Sequence, residues 1–281
     1  MDSQDSGMSA PSRRARGRPR DWNDKTAQNT IKSLDRAMEV FEFLSENQGL
    51  SLTELASETG QSPATVYRVL VTLEGRGLAE FDPGDQSWHV GARAFVIGAR
   101  FLRRTQLVDR ARPILRRLME ATGETANLGI VQNRSVLFVS QVETHASIRA
   151  FFPPGTLSPL HASGIGKALL AEMAPERLEA ILDGALEAFT AKTLSAPDEL
   201  RADLGRIRER GYSFDDEEKN PGMRCIAAPV FDIHGEAVAG LSVSGPTARI
   251  GADDVERFAA PVIAAAAELT MAIGGTIRPR S

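Results

Sequence analysis

The chain has a single cysteine in 281 residues, two tryptophans, two tyrosines and four histidines, and these shortages remove whole classes of protein. One thiol, Cys225, can close no disulfide within the chain and cannot build a cysteine-based zinc cluster, so it is either a packing residue or part of a site. His89, His145, His161 and His234 are scattered without close ligand spacing, and no metal or other cofactor is expected. No apolar run approaches the roughly 20 residues that span a bilayer. Residues 1–20 are rich in Ser and Arg and have no apolar centre, unlike a secretory signal. A cytoplasmic protein with no membrane partner is the expectation. An excess of positive charge is also missing: the net charge of −4 argues against a chain that coats nucleic acid along its whole length.

What is present is divided unevenly. A length of 281 residues favours two folded domains. Up to Thr105 acidic and basic residues balance, so the negative surplus belongs to the remainder. Within the first part, Arg13, Arg14, Arg16, Arg18 and Arg20 concentrate positive charge in a short Pro- and Gly-containing arm, expected to be disordered over residues 1–29. Arg16, Gly17, Arg18 and Pro19 spell the core of an AT-hook-like element, whose arginines can enter a narrow A·T-rich minor groove. The alternative is a solvated basic tail that neutralises phosphates.

Residues 30–90 read as a DNA-binding unit. Leu34, Ala37, Met38, Phe41 and Leu44 recur at helical spacing until Asn47, Gln48 and Gly49 end the pattern. A second, very short helix opens at Ser51, with Glu54 as its capping-box partner, and stops at Gly60. A third has Ser62 as N-cap and Pro63 at the first helical position, with Val66, Val69, Leu70 and Leu73 turned inward. Two strands around Pro83, Gly84 and Asp85 follow as a hairpin, which makes the pattern a winged helix-turn-helix. The outward residues of the third helix are then the DNA readers: with Ser62 at its start, Ala64, Thr65, Arg68 and Thr72 face away from the stripe, while Tyr67 sits at the flank near the backbone. Arg68 suits a guanine or a phosphate, Thr65 a phosphate or a thymine methyl, and Tyr67 a phosphate. Double-stranded operator DNA is the expected partner.

Residues 91–105 predict a linker helix, whose Phe95, Ile97, Phe101 and Leu102 need cover; a second copy of the chain supplies it most economically, so a dimer is expected. Residues 106–274 alternate helices and strands, with a hairpin around Asn133, strands near Cys225 and Ser242, and a last helix repeating Val255, Phe258, Ala259, Val262, Ala265, Ala266 and Leu269. The fold class is α+β with a largely antiparallel sheet, and residues 275–281 form a disordered tail.

Over residues 31–272 the chain resembles the IclR-type regulators. The resemblance rests on residues 52–78, on Pro159, Leu160, His161 and Ala162 running into Gly164, Gly166, Lys167 and Ala168, and on Asp215, Glu217 and Glu218. It continues through Gly222, Cys225, Ile226, Ala227 and Pro229 to Ser242, Val243, Ser244 and Gly245. It implies a GAF-like effector domain and a dimer of dimers. In the glyoxylate- and pyruvate-sensing branch it also implies an acid held by the Gly164 and Ile165 N–H groups and by Asp215, Cys225, Ser242 and Ser244. A helix opening near Ser163 would offer a carboxylate unpaired N–H groups, and two serines two positions apart on a strand share one face. Ile148, Phe151, Phe152 and Leu157 are expected as apolar walls. Asp215 would repel an anion unless it is protonated or bonded to a ligand hydroxyl or hydrate.

An enzyme is the competing expectation, since Cys225, His161 and Asp215 supply a nucleophile, a base and an orienting group. Against it, Cys225 stands in an apparent strand with no helix N-terminus and no basic neighbour but Arg224 to lower its pKa. A phosphate-loop reading around Gly164, Gly166 and Lys167 fails, because His161 stands where the first glycine belongs and Ala168 where a Ser or Thr is required.

Overall fold

The computed structural model describes residues 30–105 and 107–276, with the backbone alone for 100–105. The arginines of the arm, Arg16 and Arg18 among them, lie outside the described residues, as do the side chains of Phe101 and Leu102 and residues 277–281. Two compact units part between Ile97 and Gly98.

The first unit is built from α1 (Lys32–Ser45), α2 (Leu52–Glu58), α3 (Pro63–Glu74), β1 (Ala79–Asp82) and β2 (Ser87–Val90), and it includes the start of α4 (Ala92–Thr105). Local chemistry defines its short helices. Ser51 N–H donates to Glu54 Oε2 at 2.8 Å and Glu54 N–H returns to Ser51 Oγ at 3.3 Å, a reciprocal cap on a helix of only seven residues. Ser62 Oγ accepts from Thr65 N–H and Pro63 opens α3. Val40, Leu44, Leu55, Val66 and Leu70 are wholly buried together, and Trp88 of the hairpin closes the same core. Leu50 exchanges two backbone bonds with Trp88, which ties the chain between α1 and α2 to the wing.

The second unit centres on a six-stranded antiparallel sheet in the order β5-β4-β3-β8-β7-β6. Its strands are β3 (Thr125–Gln132), β4 (Ser135–Val142), β5 (Leu157–Pro159), β6 (Ser213–Asp216), β7 (Met223–Phe231) and β8 (Ala237–Pro246). One face carries Ala126, Leu128, Ile226, Ala228, Leu241 and Val243 against α5 (Leu107–Thr122) and α9 (Val255–Ala272). The other face is covered by α6 (Gly164–Ala171), with α7 (Pro175–Leu182) and α8 (Pro197–Arg210) beyond it. The architecture is therefore α+β, a winged helix-turn-helix followed by an effector-type domain with an antiparallel sheet. Two short strands, β5 and β6, were not anticipated. Gly275 and Thr276, expected in the tail, are held: their N–H groups donate to Thr270 O at 2.7 Å and Asp232 O at 3.2 Å. Among the described residues no helix is long and apolar enough to cross a membrane.

Helix α6 sits close on the sheet because the sheet is bare beneath it. A Cβ on Gly240 would lie 2.7 Å from Ile165 Cγ2, so only glycine lets that side chain down onto β8. The buried Ile165 side chain thereby fixes the height at which the first turn of α6 meets the strands.

Candidate functional site

On α3 the inward residues Val66, Leu70 and Leu73 leave Ala64, Thr65, Tyr67, Arg68 and Thr72 on the exposed surface, with Ser62 exposed at the start. Thr65 and Ser62 share a hydroxyl contact of 2.9 Å, and the Thr72 hydroxyl donates back to Arg68 O at 2.7 Å. Among the described residues no carboxylate lies within ion-pair distance of Arg68, so its guanidinium is uncommitted. Tyr67 and Val71 line a groove with Ser51, Leu52, Phe81 and Trp88, between the helices and the wing. On that wing the ligand atoms of His89, Asp82 and Asp85 come within 4.8 Å of one another, a proximity that sequence spacing did not bring out. They are accounted for locally: Ser87 Oγ lies 2.5 Å from Asp85 Oδ1 and 2.7 Å from His89 Nε2, and Asp82 Oδ1 accepts from Gly84 N–H at 2.7 Å.

The second site lies in the effector-type domain. Pairing across adjacent strands aligns Gln141 with Asn127, Asn127 with Ser242, Ser244 with Cys225, and Cys225 with Asp215. Five neighbouring strands thus bring polar side chains to the sheet face that α6 covers. Contrary to expectation a helix N-terminus does stand at Cys225: a Cβ on Gly164 would lie 2.6 Å from its Sγ, because the fold brings α6 down onto β7 from far earlier in the chain, yet burial outweighs it. Ser163 caps α6 by accepting from Gly166 N–H at 3.1 Å. The preceding N–H groups, of Gly164 and Ile165, have no carbonyl a turn behind them in the helix and carry its positive end. Ser213 Oγ holds the Gly164 carbonyl at 2.6 Å. The expected effector residues therefore meet in one place, built from α6, β6, β7 and β8.

Burial governs the electrostatics. Desolvation pushes Asp215 up to about 6, although the Glu218 N–H donating to its Oδ1 at 2.9 Å and the Lys167 charge both oppose the shift. Desolvation, then the Asp215 charge, push the Cys225 thiol up to about 12 against hydrogen bonds from Ser244 and Ser242. Behind them Lys167, 1% exposed, donates to Asp203 Oδ2 at 2.8 Å, Phe214 O at 2.7 Å and Glu218 Oε1 at 2.5 Å. Desolvation raises Glu218 to about 7 despite that partner.

Some expectations need correction. Ile148, Phe151 and Leu157 are 71%, 61% and 53% exposed and wall nothing among the described residues; of the four, Phe152 alone turns inward, stacked on Phe138 at 5.0 Å. The loop between β4 and β5 turns in at Ala150, which is buried with its carbonyl accepting from Thr125 Oγ1 at 3.2 Å, and Ile148 and Phe151 to either side of it face outward. His161 gives its Nε2 to the Glu187 carbonyl at 2.9 Å and rests against Phe189. Three residues were missed. Asn127 Nδ2 lies 3.3 Å from Ser242 Oγ and 3.2 Å from Ser244 Oγ, and Gln141 Nε2 lies 3.0 Å from Asn127 Oδ1. The signal was present, for Thr125 and Asn127 alternate with apolar Ala126 and Leu128. Lys219, whose amine donates to Ser158 Oγ at 3.2 Å and attracts Asp215, has no comparable signal.

A winged helix-turn-helix joined to a domain with a buried, donor-rich site defines a DNA-binding transcriptional regulator with an effector-binding domain. Comparison with known families agrees: residues 33–83 match the IclR helix-turn-helix domain and residues 99–271 the bacterial transcriptional regulator IclR C-terminal domain. The chain belongs to the IclR family. It is 55% identical to the HTH-type transcriptional regulator BhcR of Paracoccus denitrificans over 92% of this chain and 94% of that one. It is 40% identical to the transcriptional repressor IclR of Escherichia coli over 95% and 99%. The crystal structure of Thermotoga maritima IclR superposes with a TM-score of 0.73 at 29% identity, covering 87% of this chain and 100% of that one.

Proposed function

We propose that operator affinity is controlled by a small 2-oxo acid, glyoxylate before pyruvate, bound by the Gly164 and Ile165 N–H groups with Asp215, Cys225, Ser242 and Ser244. The convergence of these groups under the open end of α6 is the observation that carries the reading. The helix end and the two hydroxyls suit a carboxylate. Asp215 can face it without repulsion once it carries a proton, which a pKa of about 6 brings within reach. The close approach of Gly164 to Cys225 favours a small acid, and binding it better in one arrangement of the protein than in another is what would change operator affinity.

In this reading residues 30–90 are the DNA-binding domain, 91–105 the linker helix and 106–274 the effector domain of a cytoplasmic regulator. It works as a dimer, and as a dimer of dimers on its operator. Support for self-association comes from apolar side chains left in water: Ile31 and Leu34 on the α1 side, 67% and 55% exposed, and Phe95 on α4, 77% exposed. The enzyme reading is weakened, because a thiol at about 12 supplies almost no thiolate at neutral pH and His161 is bonded elsewhere.

Band shift of the DNA upstream of its own gene, at fixed salt with glyoxylate or acetate, tests the proposal. A shift altered by glyoxylate alone supports it, and indifference to glyoxylate removes the assigned effector. Arg68→Ala is expected to weaken operator binding by about 10- to 100-fold, the worth of one good base or phosphate contact, without changing thermal stability. Ser244→Ala is expected to raise the Kd for glyoxylate by roughly tenfold, the loss of one charge-assisted hydrogen bond, as measured by titration calorimetry. A normal response in that protein would refute the pocket.

A further inference from the structure

We propose that Asn127, held by Gln141, is the positioning residue that makes Ser242 and Ser244 hydrogen-bond donors toward the ligand, so that the site selects a carboxylate over the corresponding neutral amide. The inference rests on the proposed acid site and deepens it. A serine hydroxyl has one proton and can present either that proton or a lone pair. Which one faces the site is decided by what its other side meets. Here both hydroxyl oxygens face the amide nitrogen of Asn127, at 3.3 and 3.2 Å, and that nitrogen carries two protons, one for each. Asn127 donates to one lone pair of each oxygen, so neither hydroxyl can spend its proton on Asn127 and both protons turn to the site side, where the Cys225 sulfur also draws them.

Asn127 itself is wholly buried and takes its direction from Gln141, whose Nε2 donates to its Oδ1 at 3.0 Å. A donor on Oδ1 fixes the carbonyl toward β4 and the amide nitrogen toward β8. The polarity thus runs across the sheet from Gln141 through Asn127 to the serines and ends as two donors beside Cys225, the Gly164 N–H and the positive end of α6. On this side of the site an anion meets donors, and Asp215 opposite joins them only when it carries a proton. A neutral amide in the same place would set one of its own N–H groups against them.

The test is calorimetric titration of the full-length protein with glyoxylate and with glyoxylamide. In Asn127→Asp the carboxylate accepts both serine protons and turns their lone pairs inward. The Kd for glyoxylate is expected to rise about 30-fold or more, while glyoxylamide weakens little or gains, so the ratio of the two constants moves toward the amide. Because Asn127 is central and an Asp there adds a charge that itself repels an anion, the uncharged Gln141→Leu provides the second variant. Without a donor on Oδ1 the Asn127 amide is free to rotate and should move the same ratio in the same direction with Asn127 intact and no charge added. Circular dichroism verifies the fold of both. Equal weakening of both ligands, or an unchanged ratio, overturns the inference while leaving the site standing. A wild-type protein that binds no glyoxylate overturns the site and the inference together.

Discussion

Lys167→Met is expected to cost the effector domain about 3–5 kcal/mol, a large part of the roughly 5–15 kcal/mol that holds a domain together. Removing the ammonium leaves Asp203 and Glu218 facing each other with little access to water, at 6% and 4% exposure. Arg206 at 3.1 Å still serves Asp203, so the heavier loss falls at Glu218, whose Oε2 is already buried without a hydrogen-bond partner among the described residues. Glu218 can respond only by taking a proton, and Phe214 O loses its donor as well. Scanning calorimetry of the effector-domain transition measures the effect. A neutral triple variant, Lys167→Met with Asp203→Asn and Glu218→Gln, should recover much of the lost stability, because removing both charges ends the repulsion that the single change exposes. A single variant as stable as wild type would mean that water reaches the cluster.

The cluster also marks where sequence reading stops. The winged unit was legible because its determinants are local: Ser51 and Glu54 cap one helix, Ser62 and Pro63 open the next, and the alternation around Trp88 reads as a hairpin. Strand β6 was not, since Ser-Phe-Asp-Asp offers one apolar residue and exists as a strand by pairing with β7. Asp215 therefore entered the site only through family resemblance. Lys167 looked like a damaged phosphate loop, because its real partners, Asp203 and Glu218, are 36 and 51 residues away and leave no local pattern. The supposed apolar walls failed for the opposite reason: hydrophobic residues in a loop carry no periodicity to say which way they face.

Glyoxylate affinity is expected to be flat below about pH 6 and to fall about tenfold per pH unit above it, roughly 100-fold by pH 8. Desolvation already holds Asp215 at about 6, and a carboxylate brought beside it raises its pKa further, so binding takes up a proton wherever the free protein has lost one. The sign for stability runs the same way. A carboxyl raised in the folded state contributes stability below its ordinary value and loses it as pH rises through the shifted one. The ligand-free domain should therefore soften between about pH 4 and 7 as Asp215 and then Glu218 ionise without full solvation. Asp215→Asn is neutral at every pH and should bind glyoxylate with an affinity constant from pH 6 to 8, as measured by calorimetry in buffers of differing ionisation enthalpy. A wild-type affinity that is itself independent of pH would mean that Asp215 meets the ligand ionised, accepting a hydrogen bond from a hydroxyl of the hydrated aldehyde. In that case Asp215→Asn should weaken binding at every pH instead of levelling it.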